Sequence, residues 1–389
     1  MTPYQSAVRS VNGWNLFFFA ATGLPVLVLP FYIYHFGISP AALALFLFYA
    51  PATALAITIG YHRLFAHVTY KAHPLVQFLL LFFGAAAFEQ SALKWASQHR
   101  DHHFYVDTDR DPYNIKKGFW YAHIGWLVFW KHWINYDNVR DLQENRLLVH
   151  QHRYYLLWAI TSGILTPLAI GALAGDPWGV FLMGICLRIT FVYHATFCIN
   201  SICHMLGKTT YDLKTSARDH WFVALLTFGE GYHNFHHRFP SDYRNGIRWY
   251  HWDPSKWLIR TLSFFRLARH LKRVSPFRIL HARLSAENQK ASLEFSKQIA
   301  RHPLAAQIRE AVCLKYAELL GKLAAFETAA AEYQVLFKQG MAHKAEDLKG
   351  LKKAAQEKMR ERRAQFRSAW QQWNSLKHQH LALLNTCAG

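Results

Sequence analysis

Histidines occur in three tight clusters whose spacing suits metal binding. The clusters are HRLFAH at 62–67, HRDHH at 99–103 and HNFHH at 233–237. Residues i, i+3 and i+4 share one face of an α-helix, so the second and third clusters each present three imidazoles together. His62 and His67 do not share a face of an ideal helix. Their spacing therefore predicts a helix end, where the chain leaves the membrane.

Asn200 and His204 add to this set, because they are one helical turn apart and also point together. Sites built from imidazole alone suit Fe, Cu, Zn or Ni. A structural zinc site takes four ligands, often with cysteine among them, so nine histidines are too many for one ion. They fit two ions with about four or five ligands each. Iron is the natural metal if the chemistry is activation of O2 and removal of hydrogen from an unactivated C–H bond.

The composition favours a membrane protein with a soluble part attached. Of the 389 residues, 16% are aromatic and only 17% are charged, and the formal net charge is +20. Nucleic-acid binding would need a basic stripe on a recognisable module, and the sequence contains none. The cytoplasmic loops of a membrane protein carry the same excess of Lys and Arg. We therefore expect no nucleic-acid partner. The five cysteines form no CxxC pair and indicate free thiols in a reducing compartment.

Four apolar stretches are long enough to cross a bilayer. Their predicted limits are about 14–35, 41–61, 155–174 and 178–199. A fifth stretch, about 75–93, is apolar for too short a length and turns polar at Glu89, so we expect a helix in the membrane interface. This arrangement puts all the histidine clusters on one side. That side is rich in Lys and Arg, which makes it cytoplasmic together with both termini.

The character of the chain changes near residue 285. Residues 285–389 are rich in Ala, Lys, Glu and Gln and predict two to four amphipathic helices, separate from a membrane-bound domain at 1–280. Gly340 and Gly350 are expected to break these helices. Two interpretations of this basic extension stay open: a face that lies on anionic lipid, or a solvated helical hairpin or coiled coil. Its role is not assigned.

Taken together, these motifs resemble the membrane-bound fatty-acyl desaturases, the stearoyl-CoA desaturase type in particular. The three histidine clusters match the histidine boxes of that family in order and separation, and NSICH at 200–204 matches its NxxxH motif. DPYN at 111–114 and GEGY at 229–232 match flanking signatures. The resemblance covers about residues 12–275. It implies an all-α integral membrane protein in which four transmembrane helices lie under a cytosolic helical cap that holds a histidine-rich di-iron site.

The resemblance also implies roles for individual residues. Asn200 would reach a metal through a water, and nearby carboxylates are expected to orient the imidazoles. The candidate carboxylates are Asp101, Asp107, Asp111 and Glu230. The direct metal ligands would be His62, His67, His99, His102, His103, His204, His233, His236 and His237.

The implied reaction uses O2 and two electrons to convert a saturated –CH2–CH2– unit of an acyl chain into a cis double bond at the Δ9 position. By resemblance, Trp95 and Thr196 line an apolar tunnel that bends the chain past the metals. Ala50 and Ala54 would lie at the far end, where small side chains leave room for longer acyl chains. Ordinary packing of small residues between helices is the alternative reading of this alanine pair.

Acyl-CoA is the favoured substrate, although the positions that bind its head group differ from the family pattern. Ser97 and Gln98 replace an Arg-Asp pair, and Trp130 replaces the arginine of an Arg-Lys pair. Lysines can still bind phosphates as point charges, unless they only reflect the positive-inside rule. The candidate lysines are Lys94, Lys116, Lys117 and Lys131. A lipid-linked or carrier-protein-linked acyl chain stays open.

The electrons are expected from a separate protein, because the sequence has neither an HPGG haem-binding motif nor a GxGxxG motif after a strand. The donor would be a ferredoxin, a rubredoxin or cytochrome b5 with its reductase. The membrane would be the inner membrane of a bacterium or the endoplasmic reticulum of a eukaryote. A hydroxylase shares the same motifs and stays open. A metal transporter or sensor is disfavoured, since the histidines cluster at one membrane face, and a structural membrane protein would bind no metal.

Overall fold

The computed structural model of the protein describes residues 8–131, 134–298, 305–342 and 347–386. Most of this part is helical. The α-helices are α1 (Gly13–Gly23), α2 (Leu29–Phe36), α3 (Pro40–Leu55), α4 (Pro74–Ala85), α5 (Ala92–Tyr105), α6 (Trp126–Val128), α7 (Arg140–Gln143), α8 (Arg146–Arg153), α9 (Tyr155–Ile160), α10 (Thr166–Leu173), α11 (Pro177–Gly179), α12 (Arg188–Ser201), α13 (Trp221–Leu226), α14 (His233–Arg238), α15 (Pro254–Phe264), α16 (Pro276–Gln298), α17 (Ala305–Ala342) and α18 (Asp347–Thr386).

Other regular segments are short. The 3-10 turns are Leu24–Val28, Ile115–Lys117, Tyr136–Val139 and Ile202–His204, and the π-helices are Ala56–Ala66, Tyr121–Gly125, Thr161–Leu165 and Val180–Leu187. Two antiparallel ribbons pair β1 (Val8–Arg9) with β3 (Trp130–Lys131) and β2 (Lys71–Ala72) with β4 (Ala268–Arg269). The chain forms two compact units, Met1–Val274 and Ser275–Gly389.

Four helical runs in the first unit are long and apolar enough to cross a membrane. They are Gly13–Phe36, Pro40–Ala66, Tyr155–Leu173 and Pro177–His204. The second and fourth runs begin at capped turns, where Ser39 accepts from the Ala42 amide and Asp176 from the Gly179 amide. The predicted fold class, an all-α integral membrane protein with four transmembrane helices, is confirmed.

One arginine links the membrane-spanning helices. Arg188 in α12 is buried, and its guanidinium donates to the carbonyl oxygens of Gly184, Ala86 and Gly163 at 2.7–2.8 Å. These carbonyls belong to the fourth span, the turn after α4 and the third span. A buried charge is costly unless its donors are satisfied. Arg188 therefore ties three segments around one point.

The apolar stretch after the second span differs from the expected single helix at about 75–93. Helix α4 ends at Ala85, and α5 begins at Ala92. Between them Phe88 and Gln90 have positive φ angles of 59° and 78°, which a helix does not allow. The Gln90 amide donates to the Tyr155 hydroxyl at 3.1 Å instead of to a helical carbonyl. The expectation is thus corrected: a turn, not a continuous helix, carries the polar residues.

The second unit contains the three long helices α16, α17 and α18 around an apolar core of its own. Leu284, Phe295, Leu319 and Trp373 are each 0% exposed in this core. Gly340 and Gly350 do not break helices, since they lie inside α17 and α18 near the ends that face residues 343–346. Residues 343–346, which lie between the two helices in the sequence, are outside the described part.

Candidate metal centre

A π-helix brings the two histidines of the first cluster together. The segment Ala56–Ala66 is π-helical, and the His67 amide donates to the His62 carbonyl oxygen at 3.0 Å. This i→i+5 bond places residues five apart on the same side, and the two ring centroids are 4.8 Å apart. The helix ends at Ala66, so the predicted helix end does fall between these two histidines. The wider π-helical turn is what aligns the imidazoles.

The other histidines come from three further elements. Helix α5 carries His99, His102 and His103, and it is capped by Ser91, which accepts from the Lys94 amide at 3.3 Å. Helix α14 carries the HNFHH cluster. The 3-10 turn that ends the fourth span supplies His204. Side chains from the second and fourth membrane-spanning runs and from helices α5 and α14 therefore meet at one place.

The nine imidazoles divide into two groups, each of which could hold a metal ion. Within a group, one ring nitrogen of every member lies within 4.8 Å of the others. The first group is His62, His67, His99, His103 and His236, and the second is His102, His204, His233 and His237. Asn200 lies in α12, one turn before His204, and lines a cavity next to the two groups.

The ring nitrogens within each group lie as close together as the ligands of one metal ion. In the first group, Nε2 of His67 lies 2.9 Å from Nε2 of His99, and Nε2 of His62 lies 3.0 Å from Nε2 of His236. In the second group, Nε2 of His204 lies 3.0 Å from Nε2 of His233. A ligand nitrogen lies about 2.0–2.1 Å from a metal ion such as zinc. Separations near 3 Å are those of neighbouring ligands on one ion.

Carboxylates fix which nitrogen points into each group. Nδ1 of His62 lies 2.8 Å from Glu230, and Nδ1 of His102 lies 2.8 Å from Asp111. A ring that donates from Nδ1 presents the lone pair of Nε2. Lone pairs that converge repel one another unless a cation lies between them. The donor set therefore fits a metal ion in each group.

The two other candidate carboxylates do not contact a histidine directly. Asp107 binds Ser216, whose hydroxyl lies 2.7 Å from Nδ1 of His204. Asp101 accepts from the Asn138 amide at 2.9 Å. Asp107 is therefore placed to act through Ser216, while Asp101 connects α5 to the 3-10 turn Tyr136–Val139, which contains Asn138.

The site favours neutral imidazole and ionised carboxylate. Burial, followed by repulsion from neighbouring imidazoles, lowers the pKa of His67, His99 and His103 well below the usual value. Burial raises the pKa of Glu230, but Arg63 and His62 together outweigh it and the pKa is lowered. In the same way burial raises the pKa of Asp111, but His102, the Asp107 amide and His204 together lower it below its usual value. Neutral imidazole is the form that binds metal.

A buried arginine that the sequence reasoning passed over joins the first cluster to the third. Arg63 donates to Glu230 at 2.8 Å and to the Tyr243 carbonyl oxygen at 2.9 Å, and it lies 3.1 Å from Asp253. Its side chain is 1% exposed. The signal was present in the sequence, because Arg63 directly follows His62 at the end of an apolar run. It holds the carboxylate that orients His62.

A cavity of about 680 Å³ adjoins both histidine groups. Its walls are mostly apolar and aromatic, and His62, His99, His102 and His233 form part of them. Of the residues predicted to line a tunnel, Trp95, Thr196 and Ala54 do so. A volume of this size and an apolar wall with few polar groups are typical of a small-molecule site.

Four predicted substrate contacts lie elsewhere. Ala50 is buried in α3 at 3% exposure but is not part of the cavity wall. Lys116 donates to the Asp107 carbonyl oxygen at 2.8 Å, Lys117 lies over the Tyr121 ring, and Lys131 pairs with Val8 between β3 and β1. No lysine or arginine is among the described residues that line the cavity. Contact of these lysines with a phosphate stays a prediction.

The sequence also gave no role to Glu89, His123 and His194. Nε2 of His123 lies 3.1 Å from Nδ1 of His194, and its Nδ1 lies 3.0 Å from the Ser201 hydroxyl. This pair is separate from the two groups. Glu89 lies on the cavity wall. A carboxyl beside an apolar run was the only sign of it in the sequence.

A family model for fatty acid desaturases matches residues 38–270. The chain belongs to the fatty acid desaturase family. The resemblance seen in the histidine motifs is thereby confirmed. Among its relatives in this family, a protein named "Probable acyl-CoA desaturase" from Schizosaccharomyces pombe is 44% identical over 253 residues, which are 64% of this chain and 52% of that protein. "Acyl-CoA desaturase 1" from Saccharomyces cerevisiae is 37% identical over 298 residues, 74% of this chain and 58% of that protein.

A third desaturase relative matches over nearly its whole length. The "sn-1 stearoyl-lipid 9-desaturase" of Anabaena variabilis is 33% identical over 276 residues, which are 70% of this chain and 98% of that protein. By contrast, the chain spans little more than half the length of the two yeast relatives.

Proposed function

We propose that this desaturase-family protein introduces a cis double bond at the Δ9 position of a saturated acyl chain, carried as acyl-CoA, with O2 and two electrons. The observation that supports the proposal most is the contact between two imidazole groups and one apolar cavity. Such a site brings an unactivated –CH2–CH2– unit within reach of two metal ions. The names of the yeast relatives support acyl-CoA as the carrier.

Iron is the proposed metal in both groups. His62, His67, His99, His103 and His236 would hold one ion, and His102, His204, His233 and His237 the other, with Asn200 acting through a water. Imidazole ligands disfavour Mg²⁺ and Ca²⁺, which prefer oxygen. Bound iron would supply the activation of O2 that removal of hydrogen from an alkyl chain requires.

The chain's own residues would position and protect this chemistry. Glu230 and Asp111 hold His62 and His102 in one orientation, and outer carboxylates of this kind are worth about 10–100-fold in metal affinity or activity. Trp95 stacks on His99 with ring centroids 4.8 Å apart. This contact would place a wall of the acyl cavity directly beside a metal ligand. The apolar wall would exclude water from the acyl chain.

A second candidate substrate is an acyl chain esterified to a membrane lipid. The absence of lysine and arginine from the described cavity wall favours it, because CoA carries several negative phosphates. A relative covered over 98% of its length is named for a stearoyl-lipid substrate. A hydroxylase remains the alternative reaction, and the reaction product distinguishes it from a desaturase.

We infer that the protein lies in the inner membrane of a bacterium or in the endoplasmic reticulum of a eukaryote. Both of its termini would then be in the cytoplasm. The membrane lipid itself is then a partner. The electron donor would be a ferredoxin, a rubredoxin or cytochrome b5 with its reductase. A net charge of +20 supports association with an acidic carrier.

Fatty-acid analysis by gas chromatography–mass spectrometry tests the proposal. Cells that supply an electron donor would express the full chain, His102→Ala, or the control His281→Ala, whose exposed histidine lies in α16. A new cis monounsaturated acid with wild type and control but not with His102→Ala is expected. A hydroxylated fatty acid in place of the unsaturated one would identify the reaction as hydroxylation. Unchanged fatty acids in cells that contain iron-loaded protein would contradict the proposal.

A further inference from the structure

Glu89 is an acidic residue in a cavity whose other walls are largely apolar. Its side chain is half-buried and lines the cavity. The exposed part of the side chain therefore faces the cavity. An acyl chain in this cavity would therefore cover that surface and remove the remaining water from the carboxyl group. Covering an ionised carboxylate with hydrocarbon is strongly unfavourable, whereas a neutral carboxylic acid is tolerated.

The hydrogen bonds of Glu89 suit a neutral acid. Its Oε2 accepts from the Trp95 indole at 3.1 Å, and its Oε1 lies 2.9 Å from the Thr196 hydroxyl. A hydroxyl can donate or accept, so a protonated Oε1 can donate to Thr196 while Oε2 still accepts. Neither partner carries a charge. Burial accordingly raises the pKa of Glu89 to about 7, although the bonds to Thr196 and Trp95 lower it.

The backbone fixes the carboxyl in this place. Glu89 lies between Phe88 and Gln90, which both have positive φ, a costly conformation for residues with a side chain. The Tyr193 hydroxyl donates to the Phe88 carbonyl oxygen at 2.6 Å, and the Tyr155 hydroxyl accepts from the Gln90 amide at 3.1 Å. The third and fourth spans thus hold the turn from both sides.

The groups that face Glu89 leave it without a cation partner among the described residues. Lys94 on α5 donates to the Gln90 side-chain oxygen at 2.9 Å. Tyr155, Tyr193 and Tyr61 face the carboxyl from the third, fourth and second spans. His99 lies behind Trp95. Among the described residues, no ion pair compensates a negative charge at this position.

We propose that Glu89 is a positioning residue that admits the acyl chain to the cavity only in its protonated form, so that chain binding weakens as the pH rises above neutrality. This inference rests on the proposed function in one respect, namely that the cavity holds an acyl chain. The sign follows from linkage. Because the chain binds the neutral form, affinity is constant at low pH and falls by about tenfold for each pH unit once the carboxyl ionises.

The test compares the full-length wild type with Glu89→Gln and with the control Glu144→Gln, which removes an exposed carboxyl. Glutamine keeps the shape of the protonated acid and both hydrogen bonds. Binding of methyl stearate, a probe without an ionisable group, would be measured in nanodiscs from about pH 6 to about pH 8.5. Wild type and Glu144→Gln should lose about tenfold or more in affinity across this range. Glu89→Gln should change by less than about twofold.

Two further readouts separate this inference from the proposed function. In infrared difference spectra, the wild type at low pH should show a carboxylic-acid carbonyl component that Glu89→Gln lacks, and this component should disappear at high pH. Product formation from stearoyl-CoA reports on the desaturase activity. Equal pH profiles for wild type and Glu89→Gln would overturn the inference even where product forms. A shifted profile without product would uphold the inference and reject the reaction.

Discussion

The two compact units bury very different interiors. The unit Met1–Val274 encloses histidines, carboxylates and Arg63, and several of its helices change to π geometry. The unit Ser275–Gly389 consists of long α-helices around Leu319, Phe295 and Trp373. Burying polar groups costs free energy unless every one is paired. The difference teaches that the first unit accepts an expensive interior because that interior holds the candidate metal site, whereas the second unit has a core of apolar side chains.

The largest effect is expected from removing one imidazole of the first group. In His236→Ala the Nε2 contacts to His62 and His103 are lost, and the site can no longer enclose an ion. Product formation should fall by at least about 100-fold, measured by mass spectrometry at matched protein levels. The control His281→Ala should keep full activity. Retained activity in His236→Ala would remove this histidine from the site.

Breaking the buried ion network should destabilise the first unit strongly. Arg63→Met leaves Glu230 and Asp253 buried without their guanidinium partner. The expected cost is about 3–5 kcal/mol in the free energy of unfolding, because an unpaired buried charge remains. Hydrogen exchange of α14 would measure it. The exposed Arg260→Met serves as control, and equal protection in both variants would contradict a structural role for Arg63.

The second unit should respond to a loss of packing instead. Trp373→Ala removes a side chain that is 0% exposed and should cost about 3–5 kcal/mol of stability. Hydrogen exchange should increase in α16, α17 and α18, while the product yield per folded molecule stays the same. The exposed Gln371→Ala on the same helix is the matched control. Loss of activity in Trp373→Ala would mean that the second unit takes part in catalysis.

The smallest effect concerns the apolar wall of the cavity. Ala54→Leu fills space on the wall and should shift the preference from longer to shorter acyl chains by about tenfold or more. Competition between saturated acyl chains of about sixteen and eighteen carbons, followed by analysis of the products, would measure the shift. Ala44→Leu on an exposed face of α3 should leave the ratio unchanged. A ratio unaltered in Ala54→Leu would place the chain end elsewhere.

The sequence predicted those features that depend on regular helix geometry. The HxxHH clusters fall on single faces of α5 and α14 because their spacing matches the helical repeat. The pairing of His62 with His67 was not predictable, since it depends on a π-helix, which no local residue preference announces. The turn at Phe88 and Gln90 was missed for a similar reason. Positive φ at such residues is imposed by tertiary contacts.

Long-range partners also escaped the sequence. Arg63 and Glu230 are 167 residues apart, and nothing local connects them. The bond from Lys116 to the Asp107 carbonyl oxygen was not predicted either. Composition and spacing therefore predict which residue types gather, while the shape of the cavity and the pairs that support it emerge only from the fold.

The metal content of the purified full chain tests the central claim most directly. The account predicts about two iron ions per chain, one for each histidine group, by inductively coupled plasma mass spectrometry. His236→Ala and His237→Ala should each fall to about one iron or fewer, and His281→Ala should match the wild type. Protein that is folded but binds no metal, or that binds zinc in place of iron after expression in iron-rich medium, would contradict the account.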